Sequence, residues 1–509
     1  MKKITILIVG VLSAHISVRA QHPTTYLSVP QQTGAHDAYG SSVSIGENTV
    51  VVGAPMTDIT HLDNGAVWIY PINNTTLGTP QKLLPPTYQV TGCFGNEVAL
   101  QGNHLLIGAY GINNKAPGSG VVYYYHFNGS QWELLQTLSA SDAGGGDRFG
   151  HSIAIDGNTA VIGAPGSSNS RHPGKAYIFR LNNMTWTEET HFTLSERISM
   201  HPAFGWDVAV QNNLVAVSAL YANSSKPQTG KVILYRNMQG NWKTETELAP
   251  ADGNKWDLFG TDIAIDDERV LVGAPNNAGI GTTGKKTGAA YLFHHPGTNW
   301  IQQSKLTGDA GSNSHDDFGV AVSLDNNLLV IGAGQDDFMG KNTGAAYVFE
   351  FTGNSWTQKN KFTGTVNHND DHYGSALSLK GTQLLSGASL AEQQNGKSNH
   401  GLVYFYTGIN MPILYNDIIE HAVDAGNGTN INFYPNPFAD QATLQIRTKQ
   451  LIHDVSIYDM LGRFVTHPET IEQHDGSFTY SVKGDFPAGQ YILNMKLSDG
   501  TKNLLLQKQ

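Results

Sequence analysis

Apolar and polar positions alternate along most of this chain in short runs broken by tight turns. One unit can be read at 149–179. An aromatic–glycine pair, Phe149-Gly150, leads into Ile153-Ala154-Ile155, where large residues flank a small one. A polar turn, Asp156-Gly157-Asn158, separates it from a second apolar run that ends Gly163-Ala164-Pro165. A longer polar loop follows, then a Gly-led aromatic run, GKAYIF at 174–179, and then a run that often opens on Trp. Alternation at a period of two, with Gly, Asn and Asp between runs, predicts β-strands joined by hairpins. Gly at the end of the second strand permits close backbone approach, and the Pro after it in three copies ends the ladder.

The aromatic–glycine pair recurs at Tyr39, Phe94, Phe149, Phe204, Phe259, Phe318 and Tyr373, in steps of 55, 55, 55, 55, 59 and 55 residues. A fixed period of this length marks a repeat architecture. Four antiparallel strands per repeat make one propeller blade. A lone blade leaves both faces bare, so seven copies predict a closed seven-bladed β-propeller over 21–407. The seventh copy supplies only three strands, to Tyr406, whereas a spare strand, Thr25 to Val29, precedes the first pair. The amino-terminal segment is therefore expected to complete the last blade.

The ends read differently. Lys2 and Lys3 followed by the apolar run Ile4 to Leu12 and by Val18-Arg19-Ala20 predict a signal peptide over 1–20, cleaved between Ala20 and Gln21. The apolar run is too short for a membrane span, and no later stretch is long enough. Residues 408–431 lose the period and read as a linker, Gly- and Asn-rich toward its end. Short strand-like stretches over 432–509 predict a small C-terminal β-sandwich, which makes the whole chain all-β.

The seven in-phase copies resemble the FG-GAP repeats of integrin α-subunit propellers, over about 25–407. Integrin-type repeats often carry a calcium loop between their first two strands. Here that connection is a tight turn, too short for six oxygen ligands, so calcium is not expected there. Residues 432–509 resemble the carboxy-terminal sorting domain of type IX secretion substrates. The matching residues are Phe433-Tyr434-Pro435-Asn436-Pro437-Phe438, Tyr458-Asp459-Met460-Leu461-Gly462-Arg463, Pro487-Ala488-Gly489-Gln490-Tyr491 and the terminal Lys508-Gln509. That resemblance implies export by the type IX secretion machinery. It further implies removal of the domain, and then release or attachment to surface lipopolysaccharide.

Charge and composition narrow the function. A net charge of −11 argues against a general nucleic-acid binder. Cys93 is the single cysteine, so no internal disulfide can form. Two catalytic look-alikes fail on context. Ser152 in GHSIA lies within a repeat strand, not at a strand-to-helix turn. The near-phosphate-loop GIGTTGKKT at 279–287 is followed by a strand, without the helix N-terminus that such a site uses. No cofactor motif is present; a divalent metal is the one candidate. Loops before blades 1, 6 and 7 bring His36, Asp37, His315, Asp316, His368 and Asp371 to one face, and imidazole with carboxylate suits such an ion. The competing reading is that each Asp two residues before an aromatic serves its own turn. Glu97, Asp207 and Asp262 share one register on innermost strands; they face either the channel mouth or nearby backbone groups. The long loops between second and third strands vary most, which makes that face the expected binding surface. Its candidates are Asp58, Arg171, His172, Tyr221, Lys285, Lys286, Asp336 and Asp337. The reading that results is a secreted or surface-displayed binding or adhesion module for an extracellular protein or glycan. The alternatives are a polysaccharide-active enzyme at the channel mouth and a structural surface-layer component.

Overall fold

The computed structural model describes residues 25–28, 36–73, 76–166, 173–194, 201–224, 226–278, 286–308, 315–337, 339–353, 355–364, 368–391 and 400–409 of the first unit. Of the second it describes the strands of 430–508 and a few flanking positions. The signal peptide, its Ala20–Gln21 cleavage point and most of the linker lie outside the described residues. The chain divides into two compact units, Met1–Asn410 and Met411–Gln509.

The first unit is a seven-bladed β-propeller. Blade 3 shows the plan: Ile153–Asp156, Thr159–Ala164, Lys175–Asn182 and Thr185–Thr193 pair in order as an antiparallel meander. The first strand of each blade is innermost and pairs on one side only. Blade 7 takes its fourth strand from the other end of the chain. Thr25–Ser28 pairs antiparallel with Leu402–Tyr406, with Thr25 opposite Phe405. Blade 1 is the irregular one. Its fourth strand is split into Thr76–Leu77 and Gln81–Leu83, because Pro80 has no N–H to give the ladder.

Burial follows the alternation. Both faces of a blade are apolar, and each joint between neighbours holds its own buried cluster, seven in all among the described residues. The repeat aromatics sit at the centre of these joints with at most 1% exposure. Phe149 meets Tyr177 edge-on at 5.3 Å, and Phe318 meets Tyr347 at 5.1 Å. Such pairs add about 0.5–1.5 kcal/mol each beyond the area they bury.

The glycines of the repeat make the joints possible. A Cβ on Gly53, at the end of a second strand, would lie 2.1 Å from the carbonyl oxygen of Gly95 in the next blade. Gly95 itself holds φ +89°, which an L side chain rarely adopts. The same approach recurs at every joint except that between blades 4 and 5, where Ser218 replaces the second-strand glycine. At ring closure the two chain ends meet in the same way: a Cβ on Gly387 would lie 2.0 Å from the Gly40 oxygen.

The second unit forms two four-stranded antiparallel sheets. One orders Asn430–Tyr434, Gln441–Arg447, Ser477–Lys483 and Glu469–His474; the other orders Phe464–Thr466, Ile452–Asp459, Gly489–Leu497 and Gly500–Lys508. The face-to-face packing expected of a sandwich falls mostly on side chains outside the described residues.

Candidate functional site

Three regions of the propeller concentrate polar chemistry: the channel, the loop face and the joints behind the hairpins.

An innermost strand is an edge strand, and its free N–H groups need acceptors. The preceding blade supplies them from side chains, in three tiers around the channel. In the first tier the N–H groups of Val98, Val208, Ile263 and Val322 donate to Ser42, Ser152, Asp207 and Asp262, at 3.0, 3.1, 2.7 and 2.6 Å. In the second, Ser44, Ser323 and Ser378 accept from Leu100, Leu379 and Ile45. In the third, Asp156, Gln211, Asp266 and Asp325 accept from Asn212, Asp267, Asn326 and Gly381. Sequence reasoning singled out Glu97, Asp207 and Asp262 but missed the serines. The signal for Ser44, Ser323 and Ser378 was the small residue between bulky ones of the first strand; Ser42 and Ser152 stand in the register of Glu97 and Asp207.

Two of the three channel acids thus carry backbone N–H groups. Asp207 also accepts from Ser152 Oγ at 2.6 Å, and Glu97 from Ser42 Oγ at 3.2 Å. The three side chains keep partial exposure along the channel, yet protein surrounds them closely enough to strip most of their hydration. Loss of hydration, then repulsion from Asp262, pushes the Glu97 carboxyl up to about 8. The same causes raise Asp207 well above the usual carboxylate range. Burial raises Asp262 too, opposed by the N–H of Val322 and a hydrogen bond with Asp207. A carboxyl–carboxyl bond needs one proton between the partners. The arrangement can therefore hold and exchange a proton near neutral pH.

On the loop face, the loop between second and third strands of one blade hydrogen-bonds the loop entering the next. Thr91, Cys93 and Phe94 donate to Leu62, Asp63 and Asn64; Asp370, His372 and Tyr373 donate to Lys341, Asn342 and Thr343. These main-chain bonds tie neighbouring loops together in the described part of the rim. The expected ligand-binding acids serve their own loops. Asp58 accepts from Asp63 N at 2.8 Å, and Asp337 from Asn342 N at 2.8 Å. Asp336 is buried, taking Lys361 Nζ at 2.9 Å and Tyr347 OH at 2.6 Å. Tyr221 is half-buried with its ring 6.1 Å from that of Trp256, and Lys286 gives its carbonyl to His315 N. Arg171, His172 and Lys285 lie outside the described residues.

The residues singled out for a metal stay in separate joints. Among the described residues no group of three or more His, Cys, Asp or Glu is placed to hold an ion. Asp371 accepts from His368 N at 2.8 Å, as Asp147 and Asp257 do from the residues three before them. This is the turn chemistry weighed against the metal. Asp316 is buried and gives its carbonyl to Gln335 N, whereas His36 and His315 are exposed. Asp37 has a partner that the sequence did not reveal: His400 of blade 7, with Nδ1 2.8 Å from the carboxylate and both side chains buried. The joint that closes the ring thus carries a buried Asp–His contact beside the Tyr39 N to His400 O bond.

Two clefts lie behind the short hairpins, on the face opposite the variable loops. One, of about 400 Å³, is lined by Arg180, Glu189, Asn212, Asn237 and Trp242 between blades 3 and 4. The other, of about 520 Å³, opens between blades 1 and 2. Sequence reasoning set this face aside because its turns are short and alike.

Comparison with known families accounts for both units. The FG-GAP repeat matches 29–70, 132–179, 242–293 and 300–349. The matches after the first start in the fourth strand of one blade, or just before it, and end in the third strand of the next, so the sequence repeat is offset from the sheet. The secretion system C-terminal sorting domain matches 432–507. No curated protein matches the chain. The sorting domain implies secretion or placement on the outer surface, and engagement with the type IX secretion machinery. The chain is an FG-GAP repeat β-propeller carrying a type IX C-terminal sorting domain.

Proposed function

We propose that this chain is an exported binding propeller that engages an extracellular protein or glycan through its loop face. One observation carries the reading. In the rim between blades 1 and 2, Leu62, Tyr88 and Val90 are 58, 40 and 54% exposed, on segments joined by the Thr91 N to Leu62 O bond of 2.9 Å. Large apolar side chains held in water by a rigid backbone, with His61, Asp63 and Gln89 among them, have the composition of a contact surface. The main-chain stitching pre-organises it, so little ordering entropy is lost on binding. Release from the cell, or attachment to surface lipopolysaccharide once the sorting domain is removed, would leave the propeller outside the cell.

The test is a binding screen of the full chain against glycan and extracellular-protein arrays, repeated with Leu62→Asp/Val90→Asp and with Met238→Asp on the hairpin face. Loss of at least about tenfold in the loop-face variant alone is expected, since hot-spot truncations cost about 2 kcal/mol or more. Equal loss in both variants, or none in the first, removes the loop face as the contact.

A further inference from the structure

The cleft between blades 1 and 2 points to a second binding site, independent of the loop face. It is larger and less charged than its counterpart between blades 3 and 4 because blade 1 lacks the large polar side chains that other blades place there. At each such joint, a cross-strand pair of one blade faces the Trp that opens the fourth strand of the next. The pair is His104–His126 in blade 2, Thr159–Arg180 in blade 3, Leu214–Arg236 in blade 4 and Arg269–His294 in blade 5. These narrow their joints; between blades 3 and 4 about 400 Å³ remains, lined by the charged Arg180 and Glu189 as well as Trp242. Tyr124 bonds His104 at 2.7 Å and packs edge-on to Trp186. Arg236 pairs with Glu245, whose other oxygen takes Trp300 Nε1, and the Arg269 guanidinium lies 5.9 Å from the Trp356 ring centre. In blade 1 the pair is Thr49–Pro71, and the position of Tyr124 is held by Ile69. Small side chains there leave about 520 Å³ beside Trp132.

We propose that this cleft binds a neutral sugar ring, as a mono- or disaccharide. Its volume falls within the usual range of small-molecule sites, about 300–1,000 Å³. Its floor is carbon: Ile69, Pro71 and Ile72 from blade 1, with Phe127 and Trp132, whose rings lie 5.5 Å apart, from blade 2. Its rim is amide, hydroxyl and carboxylate: Asn48, Asn103, Ser130 and Glu47, all exposed on the hairpin turns. A pyranose presents both surfaces together, a C–H face and an edge of hydroxyls. A wholly apolar ligand would desolvate the rim amides without pairing them. An anionic ligand meets Glu47 and no Lys, Arg or His in the lining. Trp132 is held in place by another lining residue: the Gln81 carboxamide takes its main-chain N–H at 3.1 Å and gives an N–H to its carbonyl at 3.3 Å. That clamp pre-forms the wall, so binding does not have to order it.

The experiment uses the full chain with D-glucose, D-galactose, D-mannose, N-acetyl-D-glucosamine, cellobiose and D-glucuronic acid. Saturation-transfer NMR detects binding and calorimetry measures it. At least one neutral sugar is expected to bind in the millimolar range or tighter, with glucuronate weaker than glucose. Ile69→Tyr and Thr49→His install the residues of blade 2 and fill the cleft; binding is expected to vanish in both. Asn103→Ala, on an exposed turn, is expected to weaken binding by about tenfold without touching the core. Met238→Ala, elsewhere on the same face, is expected to leave it unchanged. The proposal is overturned if no neutral sugar shows transfer at millimolar concentration, or if Asn103→Ala and a folded cleft-filling variant bind as well as the parent.

Discussion

Glu97→Gln tests the reading of the channel. In the folded chain the carboxyl is raised from 4.5 to about 8, first by lost hydration and then by Asp262. A folded value above the unfolded one means that the native state binds the proton more tightly. Stability is then full below about 4.5, falls as pH rises, and levels off above about 8. At about 1.36 kcal/mol per unit, the shift sets an upper bound of about 5 kcal/mol. The side chain keeps partial exposure, so about half of that, 2–3 kcal/mol, is the expected loss between pH 5 and pH 8.5. Glutamine keeps an oxygen for Ser42 Oγ and carries no charge. All eight Trp residues lie between 68 and 356, so their fluorescence in a urea titration reports the propeller alone. Parent and variant are expected to unfold alike at pH 5, and the variant to be the more stable at pH 8.5. If both lose the same stability between those two values, charge on Glu97 does not strain the ring and the account of the channel acids is wrong.

Gly332→Ala should cost about 3 kcal/mol, because the new Cβ would lie 1.9 Å from the Gly374 oxygen and a packed joint must open. Gly381→Ala, with φ +56° and open space around it, should cost only about 1 kcal/mol; equal losses in the two urea titrations would refute the joint-packing argument. Removing residues 21–35 takes away the fourth strand of blade 7, and the Trp-reported midpoint should drop steeply; an unchanged midpoint would mean that the strand does not hold the ring. His400→Ala leaves the buried Asp37 carboxylate without its imidazole and should cost about 3 kcal/mol, whereas the same change at exposed His315 should cost under about 0.5 kcal/mol, read by thermal melting.

The propeller was legible because its cause is repeated. Phe149 and Gly150 have a counterpart in every blade and Gly163 in all but blade 4, since the joints are built on a buried ring and closely approaching backbones. The first three strands of blade 2 fall outside the repeat family's matches, yet Gly108 there meets Gly150 as Gly53 meets Gly95. The candidate sites were less legible, for two physical reasons. Asp37, Asp316 and Asp371 share a face, but each is used locally by its own joint, and residue type does not tell a turn acceptor from a ligand. The blade 1–2 cleft comes from what is missing. Thr49, Ile69 and Pro71 are ordinary strand residues, and only the registered comparison with His104, Tyr124 and His126 shows that they leave space. Ser152 was dismissed as a nucleophile on context, and its hydroxyl spans Asp207 and Val208 N across two blades.

The pairing of Thr25–Ser28 with Leu402–Tyr406 makes this a belt whose buckle needs both ends of the strap. Six sheets can assemble in order behind one another, but the seventh waits for a contact across nearly the whole unit, at a loop-closure cost of about 5 kcal/mol. A permuted chain that starts at His36 and carries 25–28 after Tyr406 through a short turn would make that distant contact a neighbourly hairpin while keeping Asp37, Tyr39 and Gly40 for the closing joint. It would fasten sooner, and it would shift the slow step to whichever joint then came last.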